Sequence, residues 1–282
     1  MKRTTFFILT AGLLLGCEHA GVFNTTDLPA PYEMKLSKVA QGSQFSVYRY
    51  DDNQSIIKHE FAHGLPGSQV VTIYADYSYQ NNRLQRVEQF VLLSGQFQKV
   101  SIEEYDYDSA SRLIAIRYQW KSEATNNWLE SVQEFHYDNQ NRVIKTIHLG
   151  NTPLVLQTEG VQERSEERYF YDENGNVSKI ENYVEGVEYE GPLTFTYTYD
   201  TRKNPFYRHD IRQGVLRFFS PNNLVGWESH SPETGDVVAR SSLEYQYNMD
   251  DYPTTSVETV RSPLTDPQPG TEIMTTTYEY LE

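Results

Sequence analysis

The stretch Glu104-Tyr105-Asp106-Tyr107-Asp108-Ser109-Ala110-Ser111-Arg112-Leu113-Ile114-Ala115-Ile116 decides how this chain is read, because it is one copy of a unit written many times over. It reads as a strand ending in Tyr-x-Tyr-Asp, a short polar turn, and a second strand opening on Arg-Leu. The second tyrosine of each copy falls at Tyr50, Tyr79, Tyr107, Tyr137, Tyr171, Tyr199 and Tyr247, at intervals of 29, 28, 30, 34, 28 and 48 residues. A recurring period in this range marks a stacked or wound supersecondary unit. The last interval divides into 20 and 28 if Phe218-Phe219-Ser220-Pro221-Asn222-Asn223-Leu224 is a worn copy. One unit is one hairpin.

Alternation supports strands. Leu193, Phe195, Tyr197 and Tyr199 alternate with Thr194, Thr196 and Thr198, and Leu243, Tyr245 and Tyr247 with Glu244 and Gln246. Successive side chains on a strand point to opposite faces, so one face is aromatic and the other wet. The turns Asp138-Asn139-Gln140-Asn141-Arg142 and Asp172-Glu173-Asn174-Gly175-Asn176 carry residues that cap their own backbone or accept positive φ. Beyond each turn the apolar positions fall three apart, as at Leu84 and Val87, Leu113 and Ile116, Val177 and Ile180. That offset swaps faces, so a β-bulge is expected in each unit.

The expected fold is all-β: an antiparallel up-and-down meander of about 14–16 strands built from repeated hairpins, curled into a flattened or partly open barrel and not membrane-inserted. A spanning barrel has the same even spacing of short strands. Here, however, Glu and Arg are interspersed on the outward face, and the chain closes on Tyr280-Leu281-Glu282, without a terminal aromatic residue.

The first residues read separately. Met1-Lys2-Arg3 precedes an apolar run from Phe6 to Leu15, which ends in Gly16-Cys17. Ten such residues make about 15 Å of helix against a hydrocarbon core of roughly 30 Å, so this is a signal segment and not a span. Gly16-Cys17 resembles the bacterial lipoprotein processing site, which implies lipidation of Cys17. Residues 1–16 are thus read as a signal peptide, 17–41 as lipidated cysteine and flexible tether, and 42–282 as the repeat-built β domain. Cys17 is the only cysteine, so the domain has no disulfide. Without residues 1–16, 22 basic and 39 acidic side chains leave a net charge of −17. That balance argues against nucleic acid and anionic membrane surfaces as partners. Membrane contact is expected through the Cys17 anchor only.

Tyr-x-Tyr-Asp-x-x-x-Arg-Leu resembles the tyrosine-aspartate (YD) repeat of Rhs-type shell proteins. The segments Tyr197-Thr198-Tyr199-Asp200-Thr201-Arg202-Lys203-Asn204-Pro205-Phe206, Ser220-Pro221-Asn222-Asn223-Leu224 and Tyr252-Pro253-Thr254, with Thr277-Tyr278-Glu279-Tyr280, are similar to a Bacteroidota-type lipoprotein family of unknown function with a porin-like fold. The resemblance implies an outer-membrane lipoprotein facing the periplasm or the cell surface, and brings no active site. Gln80 and Asn248 stand where the repeat's aspartate is usual, which favours a turn role for that position.

Several constellations could carry chemistry. His59-Glu60-Phe61-Ala62-His63 matches the zinc-binding H-E-x-x-H, which needs a helix to bring both imidazoles to one face. The repeat instead places these residues in the second strand of a hairpin, where four residues span about 13 Å. Asp172, Asn174 and Asn176 have calcium-loop spacing, but Val177 replaces the required glycine. Glu103-Glu104 and Glu166-Glu167 point to opposite faces on strands and form no dyad. No metal or other cofactor is assigned. Trp120 and Trp128, flanking residues 121–127, are expected to face each other across a hairpin as a shelf for a sugar ring, extended by Trp227.

Three function classes follow. First is a lipid-anchored, non-catalytic envelope protein binding a polysaccharide or protein ligand; second, a structural component of a surface assembly; third, a zinc metallohydrolase using His59, Glu60 and His63.

Overall fold

The computed structural model describes residues 34–63, 70–122, 126–150, 163–185, 191–209, 214–262 and 270–281. Cys17 and the segment read as a signal peptide lie outside them. Among the described residues sixteen strands and one short helix follow one another: β1 (Leu36–Gln41), β2 (Gln44–Tyr50), β3 (Ile56–His63), β4 (Val70–Gln80), β5 (Arg83–Leu93), β6 (Gln96–Tyr107), β7 (Leu113–Lys121) and β8 (Trp128–Tyr137). Then come β9 (Val143–Gly150), β10 (Glu163–Tyr171), β11 (Val177–Val184), β12 (Leu193–Lys203), α1 (Gly214–Phe219), β13 (Asn222–His230), β14 (Val237–Tyr247), β15 (Pro253–Ser262) and β16 (Gly270–Tyr280).

Every strand pairs antiparallel with its sequence neighbours, and β1 pairs with β16, so the meander closes into a barrel. The expectation of a flattened or partly open barrel is therefore corrected. Closure leaves no strand edge unpaired. Two boundaries also move. β1 lies inside the segment read as tether, so the barrel starts at Leu36 and not at residue 42. The 48-residue interval holds no worn hairpin: Phe218 and Phe219 end α1, part of an insert between β12 and β13.

The repeat's residues explain each corner. Asp138 Oδ1 accepts from the backbone N–H of Gln140 (2.8 Å) and Arg142 (2.9 Å), while its Oδ2 accepts from Arg142 Nε at 2.9 Å. Asp172 repeats the pattern with Asn174 and Asn176, and Asn248 with Asp250 and Tyr252. The aspartate position is a turn cap, as its replacement by asparagine implied. One residue of each five-residue turn takes positive φ, Gln54 (62°), Ser111 (69°), Asn141 (59°), Gly175 (84°) and Asp251 (66°), whereas the two-residue corner after Gln80 has two, Asn81 (53°) and Asn82 (59°).

The expected bulges form where the apolar offset put them. Tyr107 pairs with Leu113 but Asp106 with Ala115, which leaves Ile114 over; Ile57 and Ile144 are left over in the same way. These three extra residues point outward and are each about two-fifths exposed (42%, 40% and 41% for Ile57, Ile114 and Ile144). The next repeat's second tyrosine ties the bulged strand down by donating its hydroxyl to that strand's first carbonyl. Tyr79 bonds Ile56 O (2.9 Å), Tyr137 bonds Leu113 O (2.7 Å), and Tyr171 bonds Val143 O (2.7 Å). The turn arginine completes the corner: Arg112 lies 5.1 Å over the Tyr137 ring and Arg142 4.8 Å over Tyr171. Tyr, Asp and Arg thus serve one structural joint, repeated around the wall.

All these turns fall at one end, the floor. The second tyrosines (Tyr50, Tyr79, Tyr107, Tyr137, Tyr171, Tyr199, Tyr247, Tyr280) and the aromatic residues two positions earlier (Tyr48, Tyr77, Tyr105, Phe135, Tyr169, Tyr197, Tyr245, Tyr278) share the inward face with Leu36, Ile56, Leu84, Leu113, Val143 and Val177. The insert drops into the same layer: Phe218 is fully buried, and Phe206, Tyr207 and His209 nearly so. A cavity of about 30 Å³ remains between the insert and the wall, lined among others by Tyr199, Arg217, Tyr245 and Tyr278. That is room for one water.

The outer wall is charged. Cross-strand or near-neighbour pairs include Arg49–Glu60 (2.6 Å), Arg86–Glu104 (2.8 Å), Lys99–Glu88 (2.6 Å), Arg117–Asp106 (2.5 Å), Arg168–Glu166 (2.7 Å) and Lys179–Glu181 (2.8 Å). No helix among the described residues is long and apolar enough to cross a membrane, which says nothing about strands.

Candidate functional site: the barrel lumen

Above the aromatic floor the inward face turns polar. Glu103 and Glu167 each stand four residues before the second tyrosine of their copy, and Glu258 pairs with Leu243, which holds that place in its own copy. Three carboxylates therefore occupy one lumen layer, on β6, β10 and β15. Each is held by donors from the protein. Tyr105 Oη donates to Glu103 Oε2 at 2.5 Å; Tyr169 Oη and Thr146 Oγ1 (3.3 Å) donate to Glu167; Ser241 Oγ (2.6 Å) and Trp227 Nε1 (3.2 Å) donate to Glu258. Burial pushes the Glu103 carboxyl up to about 8, only partly offset by the Tyr105 hydroxyl. His148 faces the same space, paired with Gln133 and Ser165; burial holds its ring below the usual range against the opposing pull of Glu167.

Next above comes a row of small hydroxyls, with Ser101 paired to Gln89 and Trp120, and Ser131 to Tyr118. At the opposite end from the floor, the mouth, the lumen-facing Gln96, Gln98 and Glu272 are exposed. The lining is thus hydroxyl, amide and carboxylate around two indoles. A wall of this kind can hydrogen-bond and stack on a solute. The three glutamates stand on strands that are not neighbours, so no two of them belong to one hairpin.

The tryptophans do not form the expected shelf. Trp120 pairs with Leu129, and Trp128 with Lys121, so the two indoles lie on opposite faces of their hairpin. Trp120 points inward; Trp128 is 43% exposed on the outer face beside the mouth. Trp227 is inward-facing but sits between Tyr197 and Ser241, on a distant part of the wall, with its N–H spent on Glu258.

The H-E-x-x-H match lies on β3. His59 pairs with Tyr48 and Ala75, is buried, and stacks on Tyr48 with ring centroids 5.0 Å apart. His63 pairs in register with Gln44 and Val70 at the strand's far end. Four residues of strand separate the two backbones by about 13 Å, so the helix that the zinc chemistry needs is not formed. No group of three or more potential metal-ligating side chains occurs among the described residues. Asp172 and Asn176 spend their polar atoms on the turn and on Asn222.

Sequence reasoning missed the carboxylate layer and the insert. A signal for the first was present: a glutamate at the same offset from two repeat tyrosines. In sequence it stands only as half of an acidic pair.

No family model matches the sequence, and no curated protein matches it. Among solved structures, a porin-like protein from Bacteroides uniformis superimposes with a TM-score of 0.58 at 10% identity, covering 90% of this chain and 100% of its own. The fold is porin-like. A porin-like protein from Bacteroides vulgatus gives a TM-score of 0.40 at 12% identity, over 88% of this chain and 99% of its own. At these identities the likeness is one of fold alone.

Proposed function

We propose that this chain is a lipid-anchored cell-envelope protein whose porin-like barrel stands in water, and that it acts as a non-catalytic binding module for a polysaccharide or protein ligand. The observation that carries this reading is the charged outer wall. A lipid-facing strand places apolar side chains outward, and each Lys or Arg at the bilayer midplane costs about 2–4 kcal/mol. Here Arg49, Arg86, Arg117, Arg168 and Lys179 occupy outward positions on four hairpins, each against a carboxylate.

The rest of the architecture agrees. The filled floor makes a poor conduit. Leu36 lies at the floor end beside Tyr280, so a tether from Cys17 would enter the barrel on the side away from the mouth. A ligand would meet Gln96, Gln98 and Glu272 first and Trp120 below them. The second reading, a component of a surface assembly, draws support from Phe97, Trp128 and Ile273, exposed on the outer face near the mouth.

Two experiments test this. Radiolabelled fatty acid should enter the full-length protein and not Cys17→Ala. A glycan array probed with the barrel should give hits that Trp120→Ala removes. Hits untouched by Trp120→Ala, or no hits together with self-association lost in Trp128→Ala, would move the reading to the surface assembly.

A further inference from the structure

We infer that the insert between β12 and β13 is an internal latch for the barrel's seam. The seam is the pairing of β1 with β16, which joins Leu36 to Tyr280 across nearly the whole chain. β1 has only six residues, and it must hold two neighbours, β2 on one side and β16 on the other. Closing so long a loop is entropically the costliest pairing in the meander, and such contacts form the least protected part of a fold unless something reinforces them.

The insert reaches across the lumen floor to both strands that flank β1. On the β2 side, Tyr50 Oη donates to Leu36 O at 2.5 Å. A hydroxyl has one hydrogen, so the contact of 2.6 Å between Tyr50 Oη and His209 Nε2 is donated by the imidazole. The relay runs from the insert's His209 through Tyr50 to the first carbonyl of β1. His209 also meets the Tyr48 ring edge-on, centroids 5.0 Å apart. On the β16 side, Phe206 packs against Tyr278 with centroids 6.2 Å apart, and Arg217, also of the insert, lies 4.9 Å over the same Phe206 ring. The insert is itself rigid at its base: Asn204 Nδ2 donates to the carbonyls of Arg217 and Ser220, each at 2.8 Å, and its Oδ1 accepts from Phe206 N at 2.9 Å. Burial, with Lys35 and His59 nearby, keeps the His209 ring neutral, so its one N–H is committed to Tyr50.

Repeat corners elsewhere tie adjacent strands and adjoining corners, as Arg112 Nη1 does with Asn141 Oδ1 at 3.2 Å and Tyr247 with Asp200. Among the described residues the insert spans from β12 and β13 to β2 and β16, and it stands where the repeat interval is lengthened to 48 residues.

Hydrogen exchange read by mass spectrometry tests this on the whole domain. In Phe206→Ala/His209→Leu, amides of β1 and β16 should exchange at least about tenfold faster, while those of β7 and β8, on the far wall, stay within about twofold of wild type. Tyr50→Phe, which keeps the ring but cuts the relay, should reproduce the change at β1. Should the double variant fail to fold, Phe206→Leu and His209→Gln, measured singly, are read by the same ratio. Unchanged β1 exchange, or equal acceleration on all strands, would overturn the latch.

Discussion

The two ends of this barrel are built on different terms. At the floor, five-residue turns recur with one cap, one positive-φ position and one tyrosine tie per corner, and the fully buried side chains Leu36, Ile56, Leu84, Leu113, Val143, Val177 and Phe218 gather there. At the mouth, connections run from two residues after Gln41 to twelve after Gly150, with no shared residue pattern. Repetition encodes the closed end and leaves the open end free to vary, and variable connections on a rigid scaffold are where binding commonly resides.

The largest expected break in this contrast is thermodynamic. Phe218→Ala, at a fully buried floor position, should cost about 3–5 kcal/mol by denaturant titration, while Ile273→Ala, 67% exposed near the mouth, should stay within about 0.5 kcal/mol. Comparable losses at both ends would abolish the distinction.

Next comes the lumen layer between the two ends. The Glu103 carboxyl is raised to about 8 in the fold, so between the usual carboxylate range and pH 8 the folded chain holds a proton that the unfolded chain releases. Its contribution is fully present below pH 4–5 and is lost as pH rises toward and through 8, a change of the order of a few kcal/mol. Glu103→Gln should flatten that part of the stability profile, measured by melts from pH 5 to 9. A slope identical to wild type would mean that the carboxylate is solvated.

Smaller effects test the corner itself. Asp138→Ala removes three accepted hydrogen bonds and frees Arg142 from its place over Tyr171, for an expected loss of about 1–2 kcal/mol; Asp138→Asn, mimicking Asn248, should lose less. The smallest change is a gain. Gln54 holds a φ of 62° where Gly175 stands in another copy, and Gln54→Gly should stabilise by about 0.5–1 kcal/mol after the glycine's greater unfolded entropy is subtracted.

The floor was legible in the sequence because it is local and repeated. Tyr-x-Tyr-Asp, the polar turn and the three-residue apolar offset gave hairpins, caps and bulges at their positions. β1 was not legible because Leu36–Gln41 carries no Tyr-x-Tyr and no Asp-led repeat turn. Closure was not legible either, since whether a meander seals depends on the pairing of its two ends and on the insert, neither of which a hairpin's own residues record. The tryptophans failed for a parity reason: Trp120 pairs with Leu129, one position past Trp128, and that single residue sends the indoles to opposite faces.

Partitioning of the barrel domain between water and bilayer tests the central claim most directly. Residues 34–282, prepared without detergent and mixed with phospholipid vesicles, should remain a monomeric β-rich protein in the aqueous fraction and raise no conductance in planar membranes. A domain that folds only with detergent or lipid and then opens a conducting pore would contradict both the water-facing wall and the filled floor.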